Sequence, residues 1–301
     1  MPRSDQAALI RARLPRLEAL LSPCRLCPRV CGVERAKGAR GFCGLADSLL
    51  VYCANVHHGE EPPLSGSRGS GTVFFSGCNL RCLFCQNYAF SQLMNGEAMT
   101  PAGLAGQMLA LERRGAHNIN WVTPTPQVVR AVEALAIARE GGLTIPLVFN
   151  CSGYESVEVL HLLDGIVDIY LPDAKYADSA SAQSCSSAPD YPGANQAALR
   201  EMHRQVGNLE LDKDGIAVRG MLVRHLVLPG NLAGTREVLA FLASSFGKDV
   251  AISLMRQYFP AHRAQDHPGL GRRITWEEYE QALHAFDNLG LTTAFIQEWD
   301  E

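Results

Sequence analysis

Seven of the ten cysteines fall into two groups with different spacing. The first is Cys24-x2-Cys27-x3-Cys31-x11-Cys43, and the second is Cys78-x3-Cys82-x2-Cys85. Four thiolates close a tetrahedral set. They suit structural zinc or an electron-carrying 4Fe–4S cluster, and the spacing does not choose between them. The glycines after Cys31 and Cys43 let backbone amides approach the sulfurs. Three thiolates are one short, which leaves a metal position open to an outside molecule. Cys53, Cys151 and Cys185 stand alone, and Cys151 reads as a small buried residue. Cys185, in a Ser/Ala/Pro-rich stretch, is the one candidate for a radical relay. A disulfide framework belongs to small secreted domains. The first thirty residues are interrupted throughout by Arg, Asp and Glu, and nothing approaches ~18 uninterrupted apolar residues. The expectation is a soluble, cytoplasmic chain whose clustered cysteines bind metal.

The elements that must position these thiols alternate. Strands are predicted at Thr72–Ser76, Ile119–Thr123, Leu147–Asn150, Ile166–Leu171, Leu222–Leu228 and Ala251–Leu254. Apolar residues recur at helical spacing between and after them: Leu104, Met108 and Leu111, then Val128, Val132 and Leu135, then Tyr279, Leu283, Phe286 and Leu289. Thr275-Trp-Glu-Glu278 has the pattern of a capping box, and Thr100-Pro101 and Thr125-Pro126 that of an N-cap with a first-turn proline. Strand–helix alternation implies a parallel sheet. Six units predict an α/β fold, a partial (β/α)6 barrel, with its chemistry at the C-terminal ends of the strands. The Cys78 group follows the first predicted strand directly.

The Gly/Pro/Ser-rich run at 57–71 divides a small cysteine-rich, metal-binding module with its linker, residues 1–70, from the barrel, 71–301. Within that run, His57-His58-Gly-Glu60-Glu61 reads as an exposed polar loop, the alternative being a metal or acid–base patch that reaches the active-site mouth. Residues 177–196 read as a loop over one face. Strand alternation turns His225 away from Arg224, toward a packed core position. The apolar fraction is 47% and the charged fraction 19%, which argues against a disordered chain. Lys plus Arg number 27 against 31 Asp plus Glu, so no basic excess points to nucleic acid, and no segment points to a membrane.

GCNLRCLFCQN, residues 77–87, resembles the motif of radical S-adenosylmethionine (radical SAM) enzymes, including the aromatic Phe84 before the last cysteine. The resemblance implies a 4Fe–4S cluster on Cys78, Cys82 and Cys85, with S-adenosylmethionine chelated at the open iron. It also implies one-electron reduction by a donor such as flavodoxin or ferredoxin, giving a 5′-deoxyadenosyl radical that abstracts hydrogen. From residue 71 onward the chain is most similar to relatives of the pyruvate formate-lyase activating enzyme, and the whole chain resembles the uncharacterised homologues of that enzyme that carry an N-terminal cysteine motif. That likeness implies cofactor contacts from Phe84, Asn87, Thr123, Thr125, Asn150, Ser152, Asp173, Lys175, Arg224 and Gln257, with Arg224 near a carboxylate of the cofactor or substrate. It assigns no catalytic residue beyond the cluster ligands. VTPTPQ (122–127) stands where many relatives carry Gly-Gly-Glu-Pro, and Asn150 stands where the activating enzyme has an acid. The implied substrate is a protein, as for a glycyl-radical activase, or a peptide. A small-molecule substrate and a non-catalytic iron–sulfur or zinc protein are the alternatives.

Overall fold

The computed structural model describes residues 3–296. Among the described residues there are ten strands: β1 (Leu49–His57), β2 (Ser70–Phe75), β3 (Glu97–Met99), β4 (Ile119–Val122), β5 (Leu147–Cys151), β6 (Ile169–Pro172), β7 (Glu210–Leu211), β8 (Ala217–Leu226), β9 (Ala251–Met255) and β10 (Ala294–Ile296). The helices are α1 (Arg3–Glu18), α2 (Pro62–Ser65), α3 (Tyr88–Ser91), α4 (Pro101–Arg113), α5 (Val128–Glu140), α6 (Val157–Leu163), α7 (Ser179–Ser186), α8 (Tyr191–Val206), α9 (Thr235–Phe246) and α10 (Trp276–Asn288).

The sheet runs β10-β9-β8-β6-β5-β4-β2-β1-β3, with β7 paired on β8. From β2 through β10 along this order every pairing is parallel, while β1 and β3 join antiparallel. The sheet does not close, so the architecture is a partial barrel in a mixed α/β fold. All six expected strands are found, within a few residues at their ends. Four more, β1, β3, β7 and β10, lie outside the expected set.

Side chains alternate between two faces. Val73, Phe75, Trp121, Phe149, Tyr170, Val223 and Ile252 pack outward into the helix layer. Val148, Ile169, Leu171, Leu222 and Ala251 fill the barrel interior, and Leu64 of α2 packs with them. One step further along the same inward face stand Phe74, Val122, Asn150, Asp173, Arg224 and Met255, which line a cavity.

The expected capping box at Thr275 and Glu278 is present, and the Thr100 hydroxyl accepts from Gly103 N–H at 3.1 Å. Thr125–Gln127 instead forms a short 3-10 turn before α5, with no side-chain cap. Residues 177–196 are not a loop. Asp178 caps α7 by accepting from Ala180 and Ser181 N–H, and α8 begins at Tyr191. Ala182, Cys185 and Ser186 are fully buried, so Cys185 is a core residue rather than a group on a mobile loop.

The N-terminal segment is built onto this frame. β1 pairs with β2 over its length, and α1 lies against α5. Arg130 of α5 forms ion pairs with Asp47 at 2.6 Å and Glu18 at 2.8 Å. Among the described residues, no helix is long and apolar enough to cross a membrane.

Candidate active site and a second thiol site

A cavity of about 400 Å³ opens at the C-terminal ends of the parallel strands. Its lining includes Cys78, Cys82 and Cys85. The chain leaves β2 through Ser76 and Gly77, where φ is +83° and a Cβ would lie 2.8 Å from the carbonyl oxygen of Cys43. Only glycine fits that turn without displacing main chain. Each thiol has a donor beside it. Leu80 N–H reaches Cys78 Sγ at 3.4 Å, the Ser186 hydroxyl donates to Cys82 Sγ at 2.9 Å, and Ser91 Oγ stands 3.2 Å from Cys85 Sγ. Burial pushes the Cys78 thiol up, and the Cys82 thiol up to about 11, so metal binding has to displace those protons.

Around the thiols, Phe84, Asn87, Thr123, Asn150, Ser152, Asp173, Lys175, Arg224 and Gln257 line the same cavity. Thr123 holds φ at +60°, a conformation a β-branched residue rarely adopts, with its N–H bonded to Asn150 O at 2.9 Å. Lys175 Nζ donates to Asp173 Oδ2 at 2.6 Å. Burial alone would depress the Lys175 ammonium, but the Asp173 carboxylate outweighs it, with Cys82 adding to the effect once ionised, and the group is raised.

A family model described as the radical SAM superfamily matches residues 72–184, from β2 through α7. An uncharacterised protein of Methanocaldococcus jannaschii, MJ0674, is 30% identical over 279 residues, which cover 89% of this chain and 75% of that protein. A second protein of the same organism, the uncharacterised MJ0808, is 29% identical over 157 residues, 46% of each chain. The chain belongs to the radical SAM superfamily.

Radical SAM membership implies S-adenosylmethionine, an iron–sulfur cluster and a reductant. The donor set fits: three thiols share one cavity wall, each beside a hydrogen-bond donor that favours a thiolate. Two expected neighbours of the cofactor are engaged elsewhere. The Thr125 hydroxyl donates at 2.9 Å to the buried carboxyl of Glu155, outside the cavity lining, and burial pushes that carboxyl up to about 8. Arg224 lines the cavity, but its guanidinium is occupied. Nε donates to Glu61 Oε1 at 2.7 Å, and Nη2 donates to Glu61 Oε2 at 2.6 Å and to Glu60. His57-His58-Gly-Glu60-Glu61 is therefore not simply an exposed polar loop: the Glu60 and Glu61 side chains are only 7% and 6% exposed. His57, Gly59 and Glu60 wall the cavity. The segment's reach to the cavity matches the alternative reading of the sequence, whereas the pairing with Arg224, about 160 residues away, was not expected. The faint signal was a doublet of acids placed directly before two prolines.

The first thiol group gathers in a second, smaller cavity lined by Cys24, Cys27, Cys31 and Cys43 with Arg29, Arg35, Phe42 and Asn79. Burial pushes the Cys27 thiol up to about 12. In both sites the thiols stand around a space. Among the described residues, no three His, Cys, Asp or Glu side chains converge as the ligands of one ion do. His225 is where alternation predicts it, fully buried, with Nδ1 at 2.6 Å from Ala174 O and Nε2 at 2.9 Å from Thr235 Oγ1. Cys151 is buried as expected, and Cys53 is half-buried in β1.

Proposed function

We propose that this chain is a cytoplasmic radical SAM enzyme of activating-enzyme type acting on a protein or peptide substrate. The observation that carries this reading is the meeting of the three thiols with Asn87, Asn150, Ser152, Asp173, Lys175 and Gln257 in one cavity at the strand ends. When bound, a 4Fe–4S cluster with S-adenosylmethionine would supply reductive cleavage to a 5′-deoxyadenosyl radical able to abstract hydrogen.

Cys78, Cys82 and Cys85 would hold the cluster, and the Ser186 and Ser91 hydroxyls beside two of them would tune it. Phe84 packs edge-on against Tyr258, 5.6 Å between ring centroids, and stiffens the ligand loop from behind. Asn87, Asn150, Ser152, Gln257 and the backbone at Thr123 offer neutral donors and acceptors to the cofactor, and the Asp173–Lys175 pair offers both charges. The electron donor would be a small low-potential protein such as flavodoxin or ferredoxin. Cys24, Cys27, Cys31 and Cys43 would hold a second metal, zinc or another cluster. A small-molecule substrate is the second reading, favoured by the way His57, Gly59 and Glu60 wall the cavity.

The test is anaerobic reconstitution of the full chain with iron and sulfide, followed by dithionite and S-adenosylmethionine. Release of 5′-deoxyadenosine is expected, and Cys82→Ala should abolish it. A correctly loaded protein that releases none would instead be a binding or redox protein. Deuterium transfer from labelled peptides or small molecules into 5′-deoxyadenosine separates the two substrate classes.

A further inference from the structure

Helix α7 folds back onto the three-thiol loop and grips it at Cys82. Arg81 N–H donates to Ser186 O at 3.1 Å and Leu83 N–H donates to Cys185 O at 2.9 Å, one bond on either side of that cysteine. Between them the Ser186 hydroxyl donates to Cys82 Sγ at 2.9 Å. A second hydroxyl stands behind the first, with Tyr176 Oη 2.6 Å from Ser186 Oγ. Tyr176 lies just before α7 and Ser186 ends it, so the two ends of the helix meet beside the sulfur. Both side chains are buried, and bulk water is no alternative partner for either. The Tyr176 ring stands edge-on to Tyr191, 5.5 Å between centroids, and the Tyr191 hydroxyl donates to Ser152 O at 2.8 Å. That aromatic pair fixes where the Tyr176 phenol points.

Counting protons gives this chain of groups a direction. Each hydroxyl has one proton to donate. A metal-bound thiolate has none and can only accept. Ser186 must then donate to the sulfur, and its oxygen is left to accept from Tyr176. The order is Tyr176 to Ser186 to Cys82, and it cannot reverse while the sulfur holds metal. A hydroxyl that accepts one hydrogen bond donates the next more strongly, above all in a low-dielectric interior. The other two sulfurs are served more weakly. Cys78 has the Leu80 N–H at 3.4 Å, and Cys85 has Ser91 Oγ at 3.2 Å, with no second hydroxyl bonded to Ser91 among the described residues.

We infer that Tyr176 and Ser186 form a one-way hydroxyl relay that raises the reduction potential of a cluster held by Cys82, with Ser186 as the donor to sulfur and Tyr176 as the residue that positions it. The inference rests on the radical SAM reading above, which supplies the cluster. Reduction adds negative charge that spreads onto the sulfur ligands, and hydrogen bonds to those sulfurs favour the reduced state. The relay therefore lets a weaker one-electron donor reduce the site. No proton leaves either hydroxyl, and no covalent bond changes.

The test is a redox titration of the full chain, reconstituted anaerobically with iron and sulfide and followed by the paramagnetic signal of the reduced cluster. The signal that belongs to this site is the one lost in the triple variant Cys78→Ala, Cys82→Ala, Cys85→Ala. Ser186→Ala is expected to lower the ratio of reduced to oxidised cluster at a fixed potential by about tenfold, a negative shift of about 59 mV for a one-electron couple. Tyr176→Phe leaves Ser186 and every ligand in place and should shift the potential the same way by a smaller factor. Because Tyr176 acts through Ser186, adding Tyr176→Phe to Ser186→Ala should change nothing further, whereas adding it to Ser91→Ala should give its full effect. A merely structural role would lower iron content and leave the potential of the loaded fraction where it was. Unmoved potentials overturn the inference, and a full Tyr176→Phe effect in the Ser186→Ala background overturns the order of the relay. Should Ser186→Ala fail to hold iron, Tyr176→Phe decides alone, a negative shift supporting the relay and an unmoved potential ending it. Shifted potentials in a protein that releases no 5′-deoxyadenosine would end the radical reading alone. Release of 5′-deoxyadenosine with unmoved potentials would end the relay alone.

Discussion

Arg224 shows what a strand-end charge can be doing. Its likeness to an activating-enzyme arginine points to a carboxylate of the cofactor or substrate, yet two carboxylates of this chain already hold it. Burial raises the Glu61 carboxyl and the Arg224 charge lowers it, and the arginine wins, so Glu61 stays ionised. Removing one partner of a buried pair strands the other charge. Arg224→Met should therefore cost about 3–5 kcal/mol of stability by urea titration of the metal-free protein. A variant that loses cofactor affinity at unchanged stability would instead mark Arg224 as a ligand only. His225, its neighbour on the opposite face, makes a pH prediction. Burial lowers its imidazole from 6.5 to about 4, so the folded protein keeps it neutral where the unfolded chain takes up a proton. Its contribution is fully present above about pH 6.5 and is lost as pH falls through 4, about 3 kcal/mol in all. Unfolding free energies at pH 7 and pH 4 should fall further apart in wild type than in His225→Gln by roughly that amount. Equal slopes would mean that the imidazole is charged in the native state.

At the scale of elements, a strand's period of two put His225 on the face opposite Arg224, where it is found. Asn150, Asp173, Arg224 and Gln257 were expected from the family likeness, and they line one cavity at the strand ends. Long-range pairing carries no such period, so Glu60 and Glu61 read as loop. Helix α7 was missed for a compositional reason. Ser and Ala look like linker, although Asp178 and the two amides it caps are a start signal. Helix α1 gave only a weak stripe, with Pro15 inside it and four arginines along it. Its buried face is Gln6, Ala7, Ile10 and Leu17, and Gln6 donates to Ile166 O at 2.9 Å and accepts from Arg139 Nε at 2.7 Å. That face is made for α5 and for the turn before β6 and has no meaning without them. Ile10 is fully buried in the main core, so Ile10→Ala should destabilise the protein by about 2–5 kcal/mol with an unchanged denaturant slope. A loss near zero would show that α1 only rests on the surface.

Across the whole molecule, the question is whether the thiol-bearing N-terminal segment and the barrel behave as one unit. Composition suggests a module ending at residue 70, while the contacts run across that boundary at every level. β1 extends the barrel sheet beyond β2. Arg35 is buried and donates to Pro126 O at 2.7 Å, and Gln127 holds both main-chain groups of Leu50. Arg130 gathers Asp47 and Glu18, and Arg224 gathers Glu60 and Glu61. These ties are polar and long in sequence, and all but the exposed Arg130–Glu18 pair are buried or half-buried, so opening the segment exposes charges and unpaired amides on both sides. The metal-free, reduced protein is therefore expected to unfold in one transition. Far-UV circular dichroism, dominated by the barrel, and thiol labelling at buried Cys24 and Cys43 should report the same midpoint in urea. Ile10→Ala should move both midpoints together. If the N-terminal thiols label at lower urea while the dichroism holds, the segment opens on its own. The four-thiol cavity would then not take its shape from the barrel beneath it.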